Sequence, residues 1–222
     1  MKIGIIGAMT SEIESIKNAI KPKEIKNIAK SDYYIGSYGK NEIILTCCGI
    51  GKVNSASKTQ ILIDKFQPDY IINTGIAGSL SKELKILDTV VVNECVYHDM
   101  DSEILKENYP FESEFFCGEQ LSKKAENCCR DLNISFKTGK IITGDQFISD
   151  NKVKEQLVNK HHPLCVDMES TAIAHVCSLN DIPCIILRSI SDEADDDGEM
   201  NYDLFEKKAA EISSKIVLEM IK

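Results

Sequence analysis

Between Cys165 and Asp192 the chain declares its architecture. Cys165-Val166-Asp167 is a short apolar strand that runs into Met168-Glu169. Thr171 to Cys177 follows as a helix, and Cys184 to Asp192 is a second apolar strand ending on a carboxylate. A strand, a crossover helix and a second strand make the repeating unit of a parallel sheet. In a mostly parallel sheet both strand ends open on the same edge, so Glu169 and Asp192 are expected to share one crevice. Two carboxylates there suit acid–base or sugar-binding chemistry; the competing reading is that both cap helices.

The flanking sequence extends this pattern in both directions. Residues 2–8 form an apolar strand, and the helix after it shows Ile13, Ile16 and Ile20 on one face, with Ser11 and Glu14 at capping-box spacing and Pro22 beyond its end. Tyr33 to Ser37 and Glu42 to Cys47 read as a hairpin around Gly39. Gly49-Ile50-Gly51-Lys52 ends the next strand and leads into a helix through about Phe66. Next comes a strand from Tyr70 that breaks at Thr74-Gly75-Ile76-Ala77-Gly78, and then a strand over Asp88 to Glu94. Val96 to Gly118 has no clear period and reads as a long loop, functional or mobile. Helices are expected over Glu119 to Asp131, Lys152 to Asn159 and Leu204 to Met220, with a strand over Phe136 to Thr143. The acidic run from Asp192 to Asn201 reads as a solvated loop. Strands alternating with helices, plus one hairpin, give an α/β fold: a mixed central β-sheet flanked by helices in a three-layer sandwich. Its 222 residues suit one domain, 1–222, with a single large core.

Charge and composition narrow the function. The net charge of -9 disfavours nucleic acid and anionic membranes as partners. No apolar run approaches the roughly 20 residues that span a bilayer, and the first residues are too soon interrupted to be a signal peptide. A cytoplasmic protein is expected. Nine cysteines include two adjacent pairs, Cys47-Cys48 and Cys128-Cys129, but no C-x-x-C, so free thiols are expected rather than disulfides or zinc.

The glycine motifs of cofactor and triphosphate enzymes are incomplete. The dinucleotide fingerprint is absent after the first strand, where only Gly4 and Gly7 stand. Gly49-Ile50-Gly51-Lys52 falls short of a triphosphate loop: Thr46 replaces its first glycine and Val53 its metal-binding hydroxyl. No G-x-S-x-G elbow occurs. Four glycine-bearing strand ends remain, at Gly7, Gly49 to Gly51, Gly75 to Gly78 and Gly144, and they let a ligand approach the backbone.

In common order and near-constant spacing, several blocks resemble the 5′-methylthioadenosine/S-adenosylhomocysteine nucleosidases of the purine nucleoside phosphorylase superfamily. They are Gly4-Ile5-Ile6-Gly7-Ala8-Met9 with Glu12, Gly49-Ile50-Gly51-Lys52, Asn73-Thr74-Gly75-Ile76-Ala77-Gly78, Tyr97-His98-Asp99, Gly144-Asp145-Gln146-Phe147-Ile148, Asp167-Met168-Glu169-Ser170-Thr171-Ala172 and Arg188-Ser189-Ile190-Ser191-Asp192. The resemblance covers essentially the whole chain. It implies a nucleoside-phosphorylase-like sandwich that hydrolyses the N-glycosidic bond of thioether-bearing adenosines, with an adenine nucleoside and water as small-molecule partners. It also implies a homodimer, with no cofactor and no metal.

On that resemblance Glu12 activates the water, Asp192 protonates purine N7 and Glu169 holds the ribose hydroxyls. Phe147 stacks on the base and the Ile148 backbone reads its edge. Met9 and Met168 flank the sugar, Ser191 supports the acid, and Arg188 helps position the water site near Glu12. Ile50, Ile76, Asp167 and Tyr202 complete the substrate-binding set. Four departures stand out: Asp167 replaces a glutamate, Ile76 a hydroxyl residue, Tyr202 a phenylalanine, and Ser102, Leu105 and Glu107 the residues lining the 5′ pocket. The rival readings are a futalosine or 5′-deoxyadenosine hydrolase, a purine nucleoside phosphorylase and a non-catalytic adenosine-binding module. Only Arg130 and Arg188 are arginines, which leaves little with which to clamp phosphate.

Overall fold

Ten strands form one mixed sheet, and seven helices cover its two faces among the residues described by the computed structural model, 1–195 and 198–222. The chain opens with β1 (Lys2–Gly7), which lies between β4 (Asn41–Cys47) and β5 (Tyr70–Ser79) and is parallel to both. A Cβ at Gly4 would meet Leu62 Cδ2 at 2.6 Å, so glycine is what lets helix α2 (Lys52–Phe66) settle onto β1. Outward from β4 the sheet continues antiparallel through β3 (Ser31–Tyr38) to the edge strand β2 (Glu24–Ile28). The expected hairpin is present. β2 had no sequence signal, because four of its five residues are exposed and it carries no apolar alternation.

The other half of the sheet curls closed. β10 (Cys184–Asp192) runs parallel to β5, and β6 (Thr89–Tyr97) runs antiparallel to β10. β8 (Phe136–Thr143) is parallel to β6 and to β9 (Cys165–Asp167), and β9 pairs antiparallel with the far end of β5 through Gly78↔Val166. Five strands thus make a ring, which is possible because β5 does not break at Thr74. It continues, buried at every position, through Ser79. β9 and β10 consequently run in opposite directions, contrary to the parallel arrangement expected. Ring closure, not a common strand edge, is what brings Glu169 and Asp192 together.

Two apolar layers sandwich the sheet. One joins Ile6, Ile44 and Ile186 to Leu62 and Phe66 of α2 and to Ile173 and Cys177 of α6 (Ser170–Leu179). The other joins Ile5, Leu45 and Leu187 to α1 (Thr10–Ile20), α4 (Glu119–Asp131) and α7 (Gly198–Met220). The isoleucine face of α1 is buried as its spacing requires. Its cap is Met9 with Glu12 reaching back, not Ser11 with Glu14; Ser11 bonds instead to Glu206.

The stretch from 96 to 118 is less irregular than its sequence. β6 extends to Tyr97, α3 spans Ser102–Glu107, and β7 (Glu114–Phe116) pairs with β6. The acidic loop is also shorter than expected: residues 196–197 lie outside the described residues, and the backbone is helical from Gly198. Helix α5 (Asn151–His161) follows β8 as the sequence indicates. All nine cysteines are free thiols. Among the described residues no helix is long and apolar enough to cross a membrane.

Candidate active site

Glu12 enters the interior because α1 begins immediately after β1. Its carboxylate turns back over its own helix start and accepts hydrogen bonds from Ala8 N at 2.6 Å and Met9 N at 3.0 Å, while its other oxygen accepts from Ile76 N of β5 at 3.0 Å. Three backbone donors on two elements fix the group in place. Burial pushes its pKa up, against the opposing pull of Arg188 and those donors. A Cβ at Gly75 would stand 2.3 Å from Glu12 Oε1, so the carboxylate occupies space that only glycine leaves open.

Asp192 ends β10. Ser191 Oγ donates to its Oδ2 at 2.7 Å and Ala194 N to its Oδ1 at 2.9 Å, yet burial keeps its pKa above the ordinary range. Glu169 stands at the entry to α6, where Gly51 N donates to its Oε1 at 2.8 Å. Burial and the neighbouring Asp167 charge push Glu169 up to about 8.

These three carboxylates border one cavity of about 210 Å³. Met9, Ile50, Ile76, Phe147, Asp167, Met168, Ser191 and Tyr202 also line it. Tyr202 donates to Met9 Sδ at 3.1 Å and meets the Phe147 ring edge-on, with centroids 5.8 Å apart. Ile148 is buried against a smaller adjoining space of about 40 Å³ that shares Phe147 and Asp192. Ala8, Ala77 and Val166 line the cavity between the carboxylates too without having been expected, alongside Gly78. Gly78 lay in a glycine-rich strand end, whereas small aliphatic residues such as Ala8 and Ala77 carry no sequence signal.

Arg188 and Asp167 occupy places that restrict what they can do. Arg188 is 2% exposed and lies behind the cavity wall. It donates through Nε and Nη2 to Asp167 Oδ2 at 3.1 and 2.9 Å, and through Nη2 to Asn73 Oδ1 at 2.6 Å. Thr143 Oγ1 and Ser170 Oγ also donate to Asp167, each at 2.6 Å. Although Asp167 borders the cavity, both its oxygens are engaged by the protein. Burial alone would lower the Arg188 pKa; the charges of Asp167, Glu12 and Glu169 more than offset this.

Three larger clefts, of about 830, 460 and 1050 Å³, lie elsewhere; the carboxylates lining the first and last are exposed, and the middle one has only Asp32, half-buried and bonded to Asn27 and Tyr34. Among the described residues no set of three or more His, Cys, Asp or Glu side chains is arranged to hold a metal. Three buried carboxylates with raised proton affinity around a largely apolar cavity are the equipment of an acid–base enzyme acting on a small molecule.

Comparison with known proteins specifies the class. The family model of the phosphorylase superfamily matches residues 2–222. A 5′-methylthioadenosine/S-adenosylhomocysteine nucleosidase of Staphylococcus saprophyticus is 40% identical over 225 residues, covering 99% of each chain. Among solved structures, the nucleosidase of that name from Helicobacter pylori, in complex with butyl-thio-DADMe-Immucillin-A, is 34% identical, with a TM-score of 0.94 over 100% of this chain and 97% of its own. A futalosine hydrolase of Helicobacter pylori is 35% identical, with a TM-score of 0.93 over the same shares. The chain belongs to the phosphorylase superfamily and, within it, to the 5′-methylthioadenosine/S-adenosylhomocysteine nucleosidase family.

Proposed function

We propose that this protein hydrolyses the N-glycosidic bond of 5′-methylthioadenosine and S-adenosylhomocysteine, releasing adenine and the corresponding thioribose. Glu12 takes a proton from water as the hydroxyl adds to the anomeric carbon. The C1′–N9 bond breaks, and Asp192 delivers its proton to N7, so adenine leaves as a neutral ring rather than an anion. Glu169 holds the ribose hydroxyls and, in its ionised form, offsets positive charge growing on the sugar. A raised pKa suits both ends of this transfer: burial makes Asp192 hold its proton more tightly than a solvated aspartate does, and makes Glu12 a stronger base than a solvated carboxylate. Phe147, Tyr202, Met9, Met168, Ile50 and Ile76 supply the apolar walls for base and sugar.

The observation that carries the choice of water over phosphate is the state of the nearby cations. Among the described residues lining the cavity there is no lysine or arginine. On the elements around it, Arg188 is paired with Asp167 at 2.9 Å, Lys52 with Asp99 at 2.6 Å and Lys154 with Asp195 at 3.9 Å. A phosphate beside Glu12 would find no lysine or arginine in the cavity wall to hold it. Hydrolysis of methylthioadenosine is therefore expected to proceed at the same rate with and without inorganic phosphate, releasing free thioribose. Asp192→Asn is expected to lose about 10²–10⁴-fold in kcat and the alkaline limb of the kcat/KM profile. Phosphate-dependent turnover, or full activity in that variant, would overturn the reading.

The likeness to a futalosine hydrolase supports a second reading, in which the same base, acid and ribose contacts serve a different 5′ tail. Relative kcat/KM on methylthioadenosine, S-adenosylhomocysteine, 5′-deoxyadenosine and futalosine separates the two. The reading includes a homodimer: Val53 is 80% exposed, and Ile104, Tyr109 and Phe111 are also exposed on the segment after β6.

A further inference from the structure

Three loops meet beside the cavity, two of which build its wall through Ile50 and Phe147. Lys52 starts α2, Asp99 follows β6, and Asp145 lies between β8 and α5. Lys52 Nζ is 2.6 Å from Asp99 Oδ2 and 3.7 Å from Asp145 Oδ2. Lys52 N donates to Asp145 Oδ1 at 2.8 Å, and Asp145 N donates to Asp99 Oδ2 at 2.9 Å. Each residue therefore bonds to both of the others in a closed ring.

The backbone is shaped for that ring. Gly51 has φ +95°, and a Cβ there would stand 3.1 Å from Asp145 Oδ1. A Cβ at Gly144 would lie 2.3 Å from His98 Nε2 and 2.9 Å from Asp99 Cγ. Partial burial raises the Asp99 pKa, but Lys52 and the Asp145 N–H more than offset this and hold its carboxyl below the ordinary value. None of the three lines the cavity. One residue before Lys52, however, the Gly51 N–H donates to Glu169, and two residues after Asp145, Phe147 walls the cavity.

We propose that Lys52, Asp99 and Asp145 are positioning residues whose ring locks the loop that orients Glu169 to the loop that presents Phe147. The pocket is thereby assembled before substrate arrives. An isolated ion pair at this exposure stabilises little. Here two backbone N–H donors sit inside the ring, so its loss releases two stretches of main chain together.

The kinetic arm of the test rests on the nucleosidase reading; the exchange arm does not. Lys52→Met keeps the aliphatic stem and removes the charge, Asp99→Asn weakens the acceptor, and Lys52→Arg preserves the charge. In the ligand-free full-length protein, Lys52→Met and Asp99→Asn are expected to speed amide exchange about tenfold in peptides covering 49–52 and 144–148, leaving β5 and β10 unchanged. With methylthioadenosine, an uncharged substrate, Lys52→Met is expected to lower kcat/KM by about 10- to 100-fold, with Lys52→Arg recovering part of the loss. Raising salt to about 0.5 M is expected to increase the wild-type KM two- to threefold and leave that of Lys52→Met flat. Unchanged exchange in both peptides, or faster exchange spread evenly over the molecule, would overturn the proposal. So would a salt response that persists without Lys52. Absence of wild-type turnover would sink the nucleosidase reading alone, with the exchange data still deciding the role of the ring.

Discussion

At the scale of single residues, the site is a set of carboxylates held where carboxylates are costly. Glu169 shows the consequence. Its folded pKa of about 8 stands above the ordinary 4.5, so the folded state binds the proton more tightly than the unfolded chain does. Stability from this group is complete below pH 4.5 and is lost as pH rises through about 8. Glu169→Gln is therefore expected to raise Tm over wild type by about 5 °C at pH 9 and to change it little at pH 4.5, as scanning calorimetry can measure; an equal effect at both pH values would contradict the shift. Gly75 makes the same point through space. Gly75→Ala would drive its Cβ into Glu12 Oε1 from a buried strand that cannot retreat. The expected cost is about 1–3 kcal/mol in denaturant unfolding, with a larger loss of activity than of stability. Glu12, Glu169 and Asp192 were legible from sequence as acids at strand and helix ends. That Asp167 faces the cavity with both oxygens engaged was not, since hydrogen-bond partners 24 residues away, as at Thr143, leave no local pattern.

At the scale of elements, the site exists because β5, β9 and β10 are tied together. Arg188 on β10 reaches Asp167 on β9 and Asn73 on β5, and Asn73 in turn donates to Ile6 O of β1 at 2.9 Å. Removing one partner of such a pair leaves an uncompensated buried charge. Arg188→Met is expected to cost about 3–5 kcal/mol in urea unfolding, and Arg188→Lys to recover only part, because an ammonium cannot reproduce the forked contact. A cost below 1 kcal/mol would show that the pair is not structural. Strands and helices with a clear apolar period were readable in advance: α1, α2, α4 and β10 fall close to their expected bounds. β2 and the stretch around α3 and β7 were not, because their register comes from pairing with β3 and β6 rather than from their own alternation.

At the scale of the whole molecule, closing half the sheet into a ring turns a sandwich into a vessel, with the Lys52 ring beside the wall that Ile50 and Phe147 supply. The exposed apolar side chains of Val53, Ile104, Tyr109 and Phe111 lie on two of the segments joined there by the Lys52–Asp99 pair. Sedimentation is expected to show a dimer, and Val53→Asp together with Ile104→Asp to yield monomers with weakened binding of 5′-methylthioadenosine. A wild-type monomer, or a double variant that stays dimeric, would remove that interface.

By itself the sequence determined the alternation of elements, the α/β class and the chemical types available for catalysis. These follow from side-chain period and residue identity, which are local. The tertiary structure alone decided that β9 and β10 run oppositely, that the sheet closes through the far end of β5, and that Arg188, Lys52 and Lys154 meet acidic partners. Each of these depends on contacts between residues far apart in the chain, where burial and hydrogen bonding set both the geometry and the charge of the groups that meet.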